Sequence, residues 1–456
     1  MGYLARVNAP DRTRVLIWAL TFITFLLAGL AQAVSVDWTR PISEFDEIAH
    51  IDYAERLAAG GLTTWDDVYS QRTLGIGECV DTNSQDPNCI TSITRDPAAR
   101  WPDGHSYEAQ QGPLGYLPYA TAFAFVIDAN ADHFSQIRQL RAANAVLWLI
   151  LGALWAFLLA MITARWWAAL AATVVFALNP LLFDAFTYVN NDAASAVVGT
   201  AGVLWLIWLL KHPQRLSPAL VFLISAALGI VIALTKVTAL IVVVPLVIGV
   251  LITRKRWGVN TPRTWWWATG LITVTALIIE VAYLLILESR STLTSHAAFD
   301  LMLPRGPLDL PASALIRLRD ISEMVVGSGA RTDQVLREAG MQTASAWLLI
   351  FAIAAAAAFL IALGLPRVRY SRLPQLQPSG LGFGVLAAAL LVLVVMPALW
   401  EINGGYLTYV SIGRYLTPLI AVATLVTIAV YERFTRWAQV TAAAGVIVAA
   451  ISAVQL

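Results

Sequence analysis

Long apolar runs separated by short polar connections dominate the chain. Crossing a ~30 Å hydrocarbon core takes about 20 helical residues. Runs of that order occupy 15–34, 142–162, 166–187, 193–210, 216–234, 237–253, 264–287, 344–365, 380–399, 415–431 and 437–455. The pattern predicts an all-α polytopic membrane protein with about eleven transmembrane helices. One further apolar stretch, 113–127, is shorter and is interrupted by Pro113 and Pro118.

The basic residues sort the connections. Short cytoplasmic loops are enriched in Lys and Arg. With the N-terminus inside and 113–127 not crossing, the inner connections collect Arg6, Arg12 and Arg14; Arg165; Lys211 and Arg215; Arg254, Lys255, Arg256 and Arg263; Arg367, Arg369 and Arg372; and Arg433 and Arg436. A crossing at 113–127 would invert every later connection and destroy this bias. That stretch is therefore expected as a re-entrant or surface helix on the outer side. Ala31-Gln32-Ala33 resembles a signal-peptidase site, but the run before it is longer than a usual signal segment, so the first span is expected to stay as an anchor. The division that follows is a first membrane module over 1–290 with a large first outer loop at 35–141, a second outer loop at 291–343, and C-terminal spans over 344–456. No separate soluble domain is expected.

Composition agrees. The 456 residues are 58% hydrophobic and 13% charged, roughly half the charge of a soluble domain. A net charge of +1, with no basic runs interleaved with aromatics, points away from nucleic acid. Many of the 17 Trp sit at span ends, as in Trp166-Trp167 and Trp265-Trp266-Trp267, where an interfacial belt places them. The abundance of Ala and Trp over Lys fits a bacterium of high GC content. Cys79 and Cys89 share the first outer loop, which suggests a disulfide, with two free thiols as the alternative.

The first outer loop also carries an acidic cluster, Glu44-Phe45-Asp46-Glu47-Ile48-Ala49-His50. On a helix, Asp46 and His50 (i, i+4) and Glu47 and His50 (i, i+3) share a face. Carboxylates and an imidazole so placed can ligate a divalent cation (Mg, Mn or Ca) or accept a proton. A solvated amphipathic helix has the same spacing. Further polar groups fall on the same outer side: Gln110 and Gln111 before 113–127, Arg141, Asn191 and Asp192, Lys236 in a turn between two spans, Glu280 within a span, and Arg414. Ionisable groups at membrane depth are expensive and usually functional. The structural alternatives are snorkelling of Lys236 and Arg414, helix capping by Asp192 and a neutral buried Glu280. Taken together, carboxylates on one wall and cations at headgroup depth on the other suit a lipid-borne phosphate.

These motifs resemble the integral-membrane C-type glycosyltransferase superfamily, which includes protein O-mannosyltransferases, aminoarabinose transferases and actinobacterial arabinosyl- and mannosyltransferases. The resemblance rests on Phe45-Asp46-Glu47-Ile48-Ala49-His50 followed by Tyr53-Ala54 and Gly60; on Gln111-Gly112-Pro113-Leu114-Gly115-Tyr116; on Arg141; on Asn179-Pro180 through Asn191-Asp192; and on Gly413-Arg414-Tyr415 with Pro418. It implies an inverting hexosyl- or pentosyltransferase that uses a polyprenyl-phosphate-linked sugar in the plasma membrane. The acceptor would be an extracytoplasmic glycan, lipid or protein. Asp46 would be the catalytic base. Glu47, His50 and Asp192 would support it or bind metal, and Lys236, Arg414 and Arg141 would hold the donor phosphate. Gln110, Gln111 and Tyr116 would form a substrate lip, with Asn191 and Glu280 as further candidates. Many members of the family carry a soluble C-terminal domain, whereas here further apolar runs follow. The rival reading is a transporter or flippase of a lipid-linked or anionic substrate. Transporters place ionisable groups near the midplane and often show repeats of spans, and neither is evident in this sequence.

Overall fold

The computed structural model describes residues 12–35, 47–81, 104–127, 132–292, 357–364, 370–373, 376–392 and 413–454. Helices account for nearly all of its regular structure. Among the described residues the one β feature is an isolated bridge between Val68 and His105. The first loop contributes α2 (Glu47–Ala58), α3 (Gln71–Asp81), α4 (Leu117–Phe125) and α5 (His133–Ala142). The bundle is built from α1 (Arg12–Ser35), α6 (Asn144–Ile162), α7 (Trp166–Ala177), α8 (Pro180–Thr187), α9 (Asp192–Lys211), α10 (Pro218–Lys236), α11 (Val243–Trp257) and α12 (Arg263–Arg290). It continues with α13 (Pro378–Leu390), α14 (Leu419–Arg433) and α15 (Thr435–Val454). Among the described residues five helical stretches are long and apolar enough to cross a membrane, or six with one bent pair counted as a span. The expected spans at 344–365 and 380–399 lie partly outside the described residues.

Small residues set how closely the helices approach. In a bilayer, helix association depends on close van der Waals packing rather than on water exclusion. A Cβ at Gly152 would lie 2.7 Å from the Phe25 ring, and Gly29 faces Trp148. The Trp148 indole N–H also donates to Phe25 O at 3.2 Å. These pairs fix α1 and α6 as antiparallel. On α10, Gly229 abuts Ile272 and Ala276 of α12, and Gly249 and Pro245 of α11 face Gly380 and Gly384 of α13.

Two expected boundaries change. The run at 166–187 is not one straight span: it bends by 60° between α7 and α8. Asn179 caps α8, accepting from the backbone N–H of Leu181 at 3.0 Å, and Pro180 opens that helix. Proline removes a helical donor and restricts the residue before it, so the apolar run continues while the helix does not. The tight turn expected around Lys236 is instead a six-residue 3-10 segment, Val237–Val242, between α10 and α11. The stretch at 113–127 is a 3-10 turn, Pro113–Tyr116, followed by the nine-residue α4. At 1.5 Å per residue α4 is ~14 Å long, too short to cross.

The polar connections gather at opposite ends of the bundle. One end joins Thr163, Ser371 and Glu432: the Glu432 carboxylate accepts from Thr163 Oγ1 at 2.5 Å and from Ser371 N at 3.0 Å. At that same end Lys211 Nζ donates to Met161 O. The other end holds α2, the 107–116 stretch, the start of α9 and Lys236. This separation matches the sorting of Arg and Lys in the sequence.

Candidate functional site

α2 begins at Glu47, so Glu47 and His50 stand one turn apart on its buried side. Asp46, immediately before Glu47, lies outside the described residues. Glu47 is clamped by two parallel bonds, Arg141 Nε to Oε1 at 3.0 Å and Arg141 Nη2 to Oε2 at 2.8 Å. Both side chains are 0% exposed. The backbone N–H of Val189 donates to Glu47 Oε1 at 2.9 Å. Such a bidentate fork is the strong form of a charged hydrogen bond. It ties α2 to the end of α5 and to the connection between α8 and α9. Arg141, expected as a phosphate ligand, forms this fork with Glu47, and its guanidinium also lies 5.4 Å from the Tyr188 ring centre.

The next turn of α2 carries aromatic partners. His50 Nδ1 lies 2.7 Å from Tyr116 Oη, and Glu108 Oε2 lies 3.9 Å from the same nitrogen. The Tyr116 and Tyr53 rings stack at 4.1 Å. Tyr53 Oη donates to Gln111 O at 2.9 Å and meets Tyr283 Oη of α12 at 3.0 Å. Burial, above all, raises the Tyr53 phenol well above its usual range, so it stays protonated and able to donate.

Gln111 passes the network on. Its Oε1 accepts from Asn191 Nδ2 at 3.0 Å. Asn191 Oδ1 and Asp192 Oδ1 both accept from Lys236 Nζ, at 2.9 Å and 2.5 Å. Lys236 and Asp192 are almost fully buried. The Lys236 ammonium also sits 4.8 Å from the Tyr415 ring centre. Tyr415 belongs to the 3-10 segment Gly413–Leu416, which contains Arg414. The Arg414 side chain lies outside the described residues. Gly112 lets the lip lie directly on the Leu234 backbone, where a Cβ would collide, and a Cβ at Gly115 would be 3.0 Å from Asn191 Cβ.

The structure therefore brings Glu47, His50, Gln111, Tyr116, Arg141, Asn191, Asp192 and Lys236 to one end of the bundle. Gln110 joins them, and its Oε1 is buried with no partner among the described residues. Glu280 is half-buried on the stripe of α12 that contains Ala276, Tyr283 and Leu287. The expected Cys79–Cys89 pair falls outside the described side chains. No three His, Cys, Asp or Glu side chains converge as a metal-ligand group among the described residues. Tyr283 and Glu108 escaped the sequence reading. A tyrosine on an apolar helix looks like part of the interfacial belt, yet Tyr283 follows Glu280 by three residues on one face.

No family model matches the chain, and no curated protein sequence matches it. Among solved structures, the chain is similar to the crystal structure of ArnT from Cupriavidus metallidurans bound to undecaprenyl phosphate, with a TM-score of 0.38, 16% identity, and coverage of 91% of this chain and 78% of that one.

Proposed function

We propose that the protein is a membrane glycosyltransferase of the C type, which moves a sugar from a polyprenyl-phosphate donor to a hydroxyl acceptor with inversion. The reading is supported above all by one observation. Lys236, a nearly fully buried ammonium at the end of a membrane helix, shares a polar network with the lip at Gln111 and with Asp192. A buried cation at headgroup depth suits a lipid-linked phosphate.

In this reading Asp46 accepts the proton of the acceptor hydroxyl. The acceptor oxygen attacks C1 of the sugar, and the bond from C1 to the phosphate oxygen breaks. The polyprenyl phosphate leaves with the bonding pair, and its charge is held by Lys236 and Arg414. Glu47 is a positioning residue: its clamp on Arg141 and Val189 fixes the backbone that follows Asp46. The unpaired Gln110 Oε1 accepts from a substrate hydroxyl. A divalent ion does not fit the described donor set, because Glu47 is held by Arg141, Asp192 by Lys236 and His50 by Tyr116. No step here passes through a metal. The site end faces outward and the basic end faces the cytoplasm.

Asp46→Asn is expected to abolish transfer from a polyprenyl-phosphate sugar while leaving expression and thermal stability unchanged. Full transfer by that variant would remove Asp46 from the base role. Transport of an intact lipid-linked substrate without transfer would favour the flippase reading.

A further inference from the structure

A cavity of about 420 Å³ lies among α1, α6 and α8. Leu26 and Leu30 of α1, Trp148 and Leu149 of α6 and Phe186 of α8 form its apolar wall. Among the described residues the polar members of the wall are Asn144 and Thr187. Asn144 starts α6 and Thr187 ends α8, so both stand at the end of the bundle that carries α2. From Leu26 to Ala33 the cavity follows α1 for seven residues, ~10 Å. Leu30 and Leu149 are exposed, so it opens sideways between α1 and α6 toward the hydrocarbon of the bilayer. A cavity of this size and lining suits a hydrocarbon chain and not water.

The mouth of the cavity meets the candidate site. Ala142 of the wall directly follows Arg141, and Thr187 precedes Val189 by two residues. Glu47 is bonded to both Arg141 and Val189, so the start of α2 is tied to the residues on both sides of the mouth. Behind the wall, Tyr119 Oη lies 2.5 Å from Asn144 Oδ1 and 2.9 Å from Asn190 O. Asn144 Nδ2 donates to Tyr188 O at 2.8 Å. Lys236 approaches the same connection from the α9 side. It bonds Asn191 and Asp192 and faces the Tyr415 ring, and none of these four residues lines the cavity.

Displacement with inversion needs the acceptor oxygen and the leaving group on opposite faces of the sugar. With Lys236 on the phosphate, the acceptor comes from the side of Glu47, which is the side of the cavity mouth. We propose that the acceptor is itself a lipid, whose hydroxyl-bearing headgroup meets the donor sugar beside α2 while its hydrocarbon chain lies in the cavity between α1, α6 and α8. This rests on the transferase reading and gives that reading the chemical class of its acceptor.

Membranes from cells that make the full-length protein, given a panel of radiolabelled polyprenyl-phosphate sugars, test this. Label is expected to move into a new lipid in the organic-soluble fraction. A145W and L149W fill the cavity from exposed positions of its wall, and either should lower that transfer roughly tenfold. V146W, exposed on the same helix but outside the wall, should leave it unchanged. In a separate binding measurement, dodecyl glucoside carrying a diazirine in mid-chain should label α1 and α6 beside the cavity, and roughly tenfold less in A145W and L149W. Label entering glycan or protein instead of lipid would overturn the lipid acceptor and leave the transferase reading standing. Absence of label from every fraction would refute the transferase reading, and the acceptor role with it. Undiminished transfer or photolabelling in both cavity variants would remove the chain from the cavity. Loss of photolabelling on adding polyprenyl phosphate would give the cavity to the donor's tail and overturn the proposal, as would equal labelling by a diazirine-bearing phosphatidylcholine.

Discussion

Glu47 and Arg141 show what one buried pair does. Neither can reach water, so removing one partner takes the opposite charge of the fork away from a buried side chain. Glu47→Gln or Arg141→Leu is expected to destabilise the protein by roughly 3–5 kcal/mol. The double replacement Glu47→Leu with Arg141→Leu should be less harmful than either single change, because it leaves no unpaired charge. Thermal unfolding in detergent checks both. The pair was only half legible in the sequence. Glu47 stood out in its acidic cluster and Arg141 at a span entrance, but 94 residues separate them. Each reads as a candidate ligand in the sequence because nothing local joins them. Lys236 was the more readable case. A lysine between two very apolar runs is conspicuous, although its contacts with Asn191 and Asp192 depend on helix packing.

Among the elements, the lip and α5 allow separate tests. The lip lies on α10 because Gly112 has no side chain. Gly112→Ala would drive a methyl group into the Leu234 backbone, which cannot move aside as a flexible side chain can. It should abolish transfer and lower thermal stability, whereas Gly270→Ala, with nothing within reach of the new methyl, should do neither. α5 is capped by Asp132, whose carboxylate accepts from the backbone N–H of Ser135 at 2.8 Å. The hydrogen bonds from Ser135 hold this carboxyl below its unfolded value of 3.8. The cap therefore contributes fully above that value, and its contribution is lost as pH falls through the lower folded one. Asp132→Ala should cost about 1 kcal/mol near neutrality and progressively less in acid. The break between α7 and α8 was written in the sequence as Asn179-Pro180. Apolar length alone ran straight across it, because length does not register where a backbone donor is missing.

For the molecule as a whole, span length and the sorting of Arg and Lys made the two-ended architecture legible. The polar clusters fall at opposite ends as that sorting requires. What the sequence left open was the joinery within each end, which depends on helices far apart in the chain. In a background lacking Cys79 and Cys89, a cysteine at exposed Ala59 should react with a membrane-impermeant thiol reagent in intact cells. One at exposed Gln214 should react only after lysis. The reverse pattern would invert the proposed orientation.

The Glu47–Arg141 clamp has a consequence for ionic strength. Dissolved ions screen charges that they can approach, over about 8 Å at physiological concentration, and have little effect on a pair sealed from solvent. The clamp around α2 should therefore hold equally well in dilute buffer and in brine. Lys211 and Arg372 at the end of α6 are partly open to water, so added salt should screen their mutual repulsion. A salt titration followed by thermal unfolding would thus leave the contribution of the clamp unmoved.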